Sequence, residues 1–180
     1  MKIDLVPGQP LPIRRPPILL SPEEKQELQE HIREQLEKGW IVPSKSPIAT
    51  PVFYTGKKDG GRHLVIDYRQ LNLITIPDLY PIPTMKRLTD EIEKADLFTT
   101  LDLRGGYNNI RIRKGDEWKA AFRMFEGEYE PRVMQFGQVN TPVVFQRAID
   151  ELLRDLLGKT VLIYLDDILI YTKGSQKDHI

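Results

Sequence analysis

The sequence predicts an α+β fold with an antiparallel sheet, and three observations predict it. Elements follow one another without internal repeat in the order helix, hairpin, helix, strand, hairpin, helix, hairpin. Two apolar runs, Thr160–Leu165 and Ile168–Thr172, are separated by Asp166 and Asp167 alone, which leaves space for a tight turn and nothing more. The helical stretches place apolar residues three and four apart and carry recognisable start and stop residues.

The first helix is expected over about residues 22–38. Ser21 is a good N-cap, Pro22 suits the first turn, Glu24 completes a capping box and Gly39 supplies the stop. Leu28, Ile32 and Leu36 form one narrow apolar stripe among charges, so the helix belongs on the surface. Pro51–Thr55 and His63–Asp67 are β-prone, with the flexible, basic stretch Gly56–Arg62 as the turn between them. A proline-bracketed segment from Pro77 to Pro83 leads to a short helix capped by Thr84, with Met85, Leu88 and Ile92 inward. Leu97–Leu103 is a strand that ends on Asp102. Glu117–Arg123 and Glu128–Met134 pair around Phe125–Glu128. Thr141 and Pro142 then open a helix with Phe145, Ile149, Leu152, Leu153 and Leu156 inward, ended by Gly158.

At 180 residues the chain fits one compact domain, or one domain of two lobes. With 40% hydrophobic and 29% charged residues it has the composition of a soluble globular protein. Fourteen prolines is many, and those between Pro7 and Pro17, together with Arg14 and Arg15, indicate an extended arm without a core of its own. Formal net charge is zero and the pI about 6.9, where a nucleic-acid protein usually shows a basic excess. The charges are unevenly spread, however. Six Glu crowd residues 21–40, while Arg104, Arg111, Arg113, Lys114, Lys119 and Arg123 lie within 104–123. A basic surface offset by an acidic helix sums to neutral, so the total decides nothing. The absence of cysteine excludes disulfides, thiolate zinc sites and cysteine nucleophiles. No apolar run reaches the roughly 18–20 residues that span a bilayer, and no membrane partner is expected.

The chemistry concentrates in Tyr164-Leu165-Asp166-Asp167. Adjacent carboxylates between two apolar strands repel one another unless a cation sits opposite. Aspartate is also an ordinary turn residue, so the pair alone is ambiguous. A third carboxylate, Asp102, ends another apolar strand. If those strands are neighbours in one sheet, three hard oxygen donors converge at one edge, a set that suits Mg²⁺. A pair of ions about 3.5–4 Å apart is the usual device for in-line phosphoryl transfer. His31, His63 and His179 have no metal-ligand spacing.

Five segments together resemble reverse transcriptases. Three of them, Leu101-Asp-Leu-Arg-Gly-Gly-Tyr107, Val133-Met-Gln-Phe-Gly137 with Asn140-Thr-Pro142 and Phe145-Gln146, and Tyr164-Leu-Asp-Asp167, are similar to the palm motifs. Upstream, Lys57-Lys-Asp-Gly60 and Ile66-Asp-Tyr-Arg69 with Leu71-Asn72 resemble the fingers. With Gly39–Pro47, the combination looks like gypsy-type long-terminal-repeat retrotransposons. The resemblance implies a right-hand polymerase fold, with residues 1–10 an N-terminal arm, 11–96 fingers (later strands contributing) and 97–180 a truncated palm. It implies RNA-directed DNA polymerase activity on a primed RNA or DNA template with dNTPs and two Mg²⁺, for which Mn²⁺ is a possible substitute. Asp102, Asp166 and Asp167 are then the catalytic, metal-binding carboxylates. Tyr107 sits beneath the incoming sugar and rejects a 2′-hydroxyl, Lys57 contacts the triphosphate, Phe136 and Gly137 border the nucleotide pocket, and Arg69 helps hold the template. An element of this kind works inside the cell, in a cytoplasmic particle or the nucleus.

Each residue also has a plainer reading: Tyr107 as core, Lys57 and Lys58 as a solvated hairpin tip, and Arg111, Arg113 and Lys114 as a solvated basic face. The pattern departs from the family in places. His63 stands where a second triphosphate-binding arginine is usual, and a neutral imidazole cannot supply its bidentate contact, although Arg62 is adjacent. Gln135 and Gln138 replace proline and leucine, and Pro131 occupies a strand position. The family's primer-gripping segment, thumb and RNase H domain follow the Tyr-Leu-Asp-Asp motif, so the resemblance implies a polyprotein fragment with weak processivity. The alternatives are an inactive retroelement remnant that keeps the fold and binds nucleic acid, and an RNA-dependent RNA polymerase, against which Tyr107 argues.

Overall fold

The computed structural model describes residues 1–56, 60–93, 95–176 and 179. The chain forms two compact units that interleave in sequence: residues 1–77 with 107–141, and residues 78–106 with 142–180. Residues 78–96 thus fall in the second unit, and the later strands within 107–141 in the first.

The first unit is built on a five-stranded sheet ordered β1-β6-β5-β2-β3, where β1 is Ile41–Pro43, β2 Thr50–Gly56, β3 Arg62–Ile66, β5 Phe122–Met124 and β6 Gly127–Pro131. Its pairs are antiparallel except β2 with β5, which run parallel through Thr50 and Phe122. Helix α1 (Pro22–Glu37) starts at Ser21 with both bonds of the capping box: Glu24 N donates to Ser21 Oγ and Ser21 N donates to Glu24 Oε2. It buries Leu28 and Ile32 against Ile41, Val52, Phe122 and Met124. The fourth turn departs from expectation, since Gln35 is buried and Leu36 is exposed. Residues Glu117–Ala120 form a 3₁₀ turn rather than the start of a strand, so β5 and β6 are shorter than expected.

Two short elements escaped the sequence reading, strand β1 and helix α2 (Arg69–Ile74). Residues 1–6 are a packed segment, which corrects an arm beginning at residue 1, whereas 7–20 are largely exposed without helix or strand. Ile3 is buried with Tyr68, Leu71, Ile112 and Ala120. Ile3 N donates to the Asp116 carboxylate, Lys119 Nζ donates to Ile3 O, and Val6 N donates to Ile74 O.

Pro131 is accommodated by register. Residues 128 and 132 bond β1, through Ser44 N to Glu128 O and Arg132 N to Trp40 O, so odd positions face β5. The β5 ladder ends at Phe122 opposite Tyr129, and the missing N–H of Pro131 therefore points past its end.

The second unit is a three-stranded antiparallel sheet ordered β4-β8-β7, with β4 Leu97–Asp102, β7 Val161–Tyr164 and β8 Asp167–Thr172. Alternate residues serve opposite faces. Leu162 and Tyr171 pack with Leu88 of α3 (Met85–Ile92), while Val161, Ile163 and Ile168 pack with Ile149 and Leu153. Helix α4 (Thr141–Leu152) buries Phe145 completely, but Leu152 is 75% exposed and Leu156 lies beyond the helix and is also exposed, contrary to the expected stripe. No helix among the described residues is long and apolar enough to cross a membrane.

Candidate active site

The second unit brings the predicted carboxylates to one sheet edge. Asp102, the last residue of β4, lies opposite Asp167, the first residue of β8. Tyr164 closes the β7–β8 hairpin against the same Asp167, which leaves Leu165 and Asp166 as a two-residue turn. Such turns need a positive φ at the first loop position, usually filled by Gly or Asn. Here Leu165 adopts φ 57°, at a cost of about 1–2 kcal/mol. Strain of this kind persists only where surrounding structure over-determines it.

All three aspartates are exposed. Among the described residues, no Lys or Arg forms an ion pair with them, and no three His, Cys, Asp or Glu side chains are gathered closely enough to hold a metal ion. The set is therefore not a finished cage. Its chemistry nevertheless fits a hard cation: uncompensated carboxylates on adjacent backbone positions, exposed to solvent, for an ion that keeps several waters and takes few protein oxygens.

The segment after Asp102 explains its glycines. Gly105 has φ 61°, and a Cβ on Gly106 would stand 2.7 Å from Phe145 Cζ. Two of the sequence motifs thus interlock, the Gly-Gly after Asp102 against Phe145 of α4.

The first unit holds the other candidates. Tyr107 is buried, with its ring centroid 4.7 Å from Phe136 at 62°, an edge-on contact. Phe136 is 59% exposed and also meets His63 edge-on at 6.5 Å. A cavity of about 560 Å³ opens there, lined by Phe136, Gly137, His63, Arg62, His31 and Gln35 among others. Burial holds the His31 imidazole below its usual pKa, with Glu34 opposing that shift.

Gly137 adopts a positive φ of 90°, and its turn is clamped by Asn72, a residue the sequence motifs leave without a role. Asn72 Nδ2 donates to Gly137 O at 2.7 Å while Asn72 Oδ1 accepts Val139 N at 2.9 Å. Its neighbour Gln138 is buried, with Oε1 accepting a long 3.4 Å bond from Thr141 and Nε2 finding no well-aligned acceptor. The Tyr68 phenol is within reach of that amide: its hydrogen goes to Ala120 O, and its oxygen still faces the Gln138 Nε2–H without the alignment of a full hydrogen bond.

The predicted arginines are engaged locally. Arg69 makes a two-point contact with Asp67, Nε to Oδ1 at 2.7 Å and a terminal nitrogen to Oδ2 at 2.9 Å. This pairing holds the Asp67 carboxyl below its usual range. Arg62 reaches Glu23 at 2.8 Å and Glu27 at 3.5 Å on α1. Lys57 lies outside the described residues.

The comparisons with known proteins follow the same line. The sequence profile described as "Reverse transcriptase (RNA-dependent DNA polymerase)" matches residues 55–180. The chain belongs to the reverse transcriptase family. It is 40% identical over 170 residues to the Transposon Tf2-3 polyprotein of Schizosaccharomyces pombe, covering 94% of this chain and 12% of that protein. The Tf2-7 polyprotein is 39% identical over the same length. This reverse transcriptase segment thus spans about an eighth of those relatives. In structure it is similar to a prototype foamy virus protease-reverse transcriptase mutant, with TM-score 0.82 and 26% identity over 96% of this chain and 23% of that one. The native foamy virus protein gives TM-score 0.81 and 27% identity over 99% and 24%. A foamy viral protease-reverse transcriptase in complex with an RNA/DNA hybrid, 22% identical with TM-score 0.81, shares the fold.

Proposed function

We propose that this domain performs RNA-directed DNA synthesis for a gypsy-type long-terminal-repeat retrotransposon, as part of a longer Pol polyprotein that supplies thumb and RNase H. The observation that carries the reading is the register of Asp102 opposite Asp167, with Asp166 in the turn between β7 and β8. In this reading the second unit is the palm and the first holds the fingers.

Asp102, Asp166 and Asp167 would hold two Mg²⁺, which supply charge stabilisation for in-line phosphoryl transfer. The protein's own contribution is placement. Strands β4 and β8 carry Asp102 and Asp167 on paired backbone positions, so the spacing of these two is set by the ladder, and Asp166 follows from the tight turn beside them. Phe136 and Gly137 border the nucleotide pocket, and the Asn72 clamp keeps their turn in place. Tyr107, held beneath Phe136, is the sugar gate that favours dNTPs over ribonucleotides. Lys57 contacts the triphosphate, where a cation offsets charge on the leaving pyrophosphate. Primer and template are the macromolecular partners, and the setting is a cytoplasmic particle or the nucleus.

One observation favours a second reading, a remnant that binds nucleic acid without catalysis. Arg62, the available substitute for the arginine replaced by His63, is held by two glutamates of α1. Addition of one dNTP to a DNA primer on an RNA template, dependent on Mg²⁺ and made tolerant of ribonucleotides by Tyr107→Ala, is the expected result. Salt-dependent binding of the primed template without any addition would establish the remnant instead.

A further inference from the structure

We propose that Gln146 is a positioning residue that locks the carboxylate turn through the backbone amide of Leu165. The inference rests on the reading of Asp102, Asp166 and Asp167 as metal-binding groups and goes beyond it, to what aims them.

Gln146 is fully buried on α4, where an amide is costly unless its donors and acceptor are all used. They are used on both sides of Tyr164. Gln146 Nε2 donates to Ile163 O at 3.3 Å, and Gln146 Oε1 accepts Leu165 N at 2.7 Å. The same Nε2 donates to Asp150 Oδ1 at 2.9 Å, one helical turn away.

Asp150 fixes which way the amide points. A carboxylate only accepts, so it must face the nitrogen of Gln146, and this leaves the oxygen for the Leu165 N–H. Asp150 is held in turn by Tyr80, whose hydroxyl donates to Asp150 Oδ2 at 2.7 Å. Arg147 bonds Asp78, and its guanidinium lies 5.0 Å from the Tyr80 ring centroid, which seats Tyr80. The relay therefore runs from Tyr80 through Asp150 and Gln146 to the residue that carries the positive φ beside Asp166. Without Gln146, that N–H loses its partner and the strained turn loses its tie to α4.

The test compares the chain with Gln146→Glu, the pair Gln146→Glu/Asp150→Asn, and Asp166→Asn, using Mn²⁺ as the probe. Gln146→Glu keeps an acceptor for Leu165 N but sets two carboxylates against each other. The double variant restores a donor opposite an acceptor with the charge unchanged. Mn²⁺ affinity about 10–100-fold weaker in Gln146→Glu, recovered in part in the double variant, where Ile163 O still faces an oxygen, is expected, as for other residues that orient metal ligands. Exchange of the Leu165 amide should quicken and recover in parallel, while Phe145 and its helix keep their protection. Unchanged Mn²⁺ affinity and unchanged Leu165 exchange in Gln146→Glu would overturn the inference. Equal Mn²⁺ binding by Asp166→Asn and the unaltered chain would instead sink the carboxylate reading, whatever Gln146 does, and the inference with it.

Discussion

Gly106→Ala is the sharpest test of how the second unit is packed. The added methyl would meet Phe145 Cζ at 2.7 Å and Cε2 at 3.0 Å, with Leu103 Cβ at 3.4 Å on another side. Real methyl contacts lie near 3.5–4.0 Å, so the ring must retreat by roughly 1 Å. It has nowhere free to go, because Phe145 is 1% exposed. Overpacking of this sort costs about 1–3 kcal/mol. For a chain of this size each kcal/mol shifts the midpoint by about 2–4 °C, so Tm should fall by roughly 2–12 °C. Thermal denaturation followed by circular dichroism measures it, and Phe145→Leu in the Gly106→Ala background should recover part of the loss, whereas alone it leaves a void. Additive losses in the double variant, or a Tm unchanged by Gly106→Ala, would refute the interlock of the two motifs.

Other expectations follow from individual contacts. Gln138→Leu removes a buried amide nitrogen without a well-aligned acceptor and should raise stability by about 1 kcal/mol in urea unfolding. Asn72→Ala should cost about 1–3 kcal/mol and raise the KM for dNTP more than it lowers kcat, since it frees the turn beside Phe136 rather than the carboxylates. Burial alone would raise the Asp116 carboxyl, but Lys119, Arg113 and the Ile3 amide outweigh it and hold it below its ordinary 3.8. A depressed folded value means stability that is present above pH 3.8 and lost as pH falls through the folded value. Urea midpoints should therefore drop below about pH 4, and Asp116→Asn should flatten that part of the profile.

Much of the architecture was legible because its signals are local. The capping box at Ser21, the stop at Gly39 and the β7–β8 turn each act within a few residues, although the turn falls on Leu165 and Asp166, one residue before the expected Asp166-Asp167 gap. Strand β1 and helix α2 were not, because each is short and held from outside. Arg132 N bonds Trp40 O beside β1, and α2 has no side-chain cap and is anchored through Leu71. The parallel pairing of β2 with β5 joins residues far apart in sequence and leaves no trace in hydrophobic period. Of the site, the carboxylate convergence could be read from strand ends, since Asp102 and Asp167 terminate neighbouring strands. The roles of Gln146 and Asn72 could not, because Leu165 N, Gly137 O and Val139 N are backbone groups brought close to them only by folding. Likewise, Arg62 looks available in the sequence, and only the packing of α1 shows Glu23 and Glu27 beside it.

The most direct test of the central claim is single-nucleotide incorporation on an RNA template with a DNA primer and Mg²⁺, with Asp166→Asn alongside. The chain should add one complementary deoxynucleotide, and Asp166→Asn, although folded, should add none. Addition by both, or by neither even when the thumb and RNase H segments are supplied, would contradict that claim.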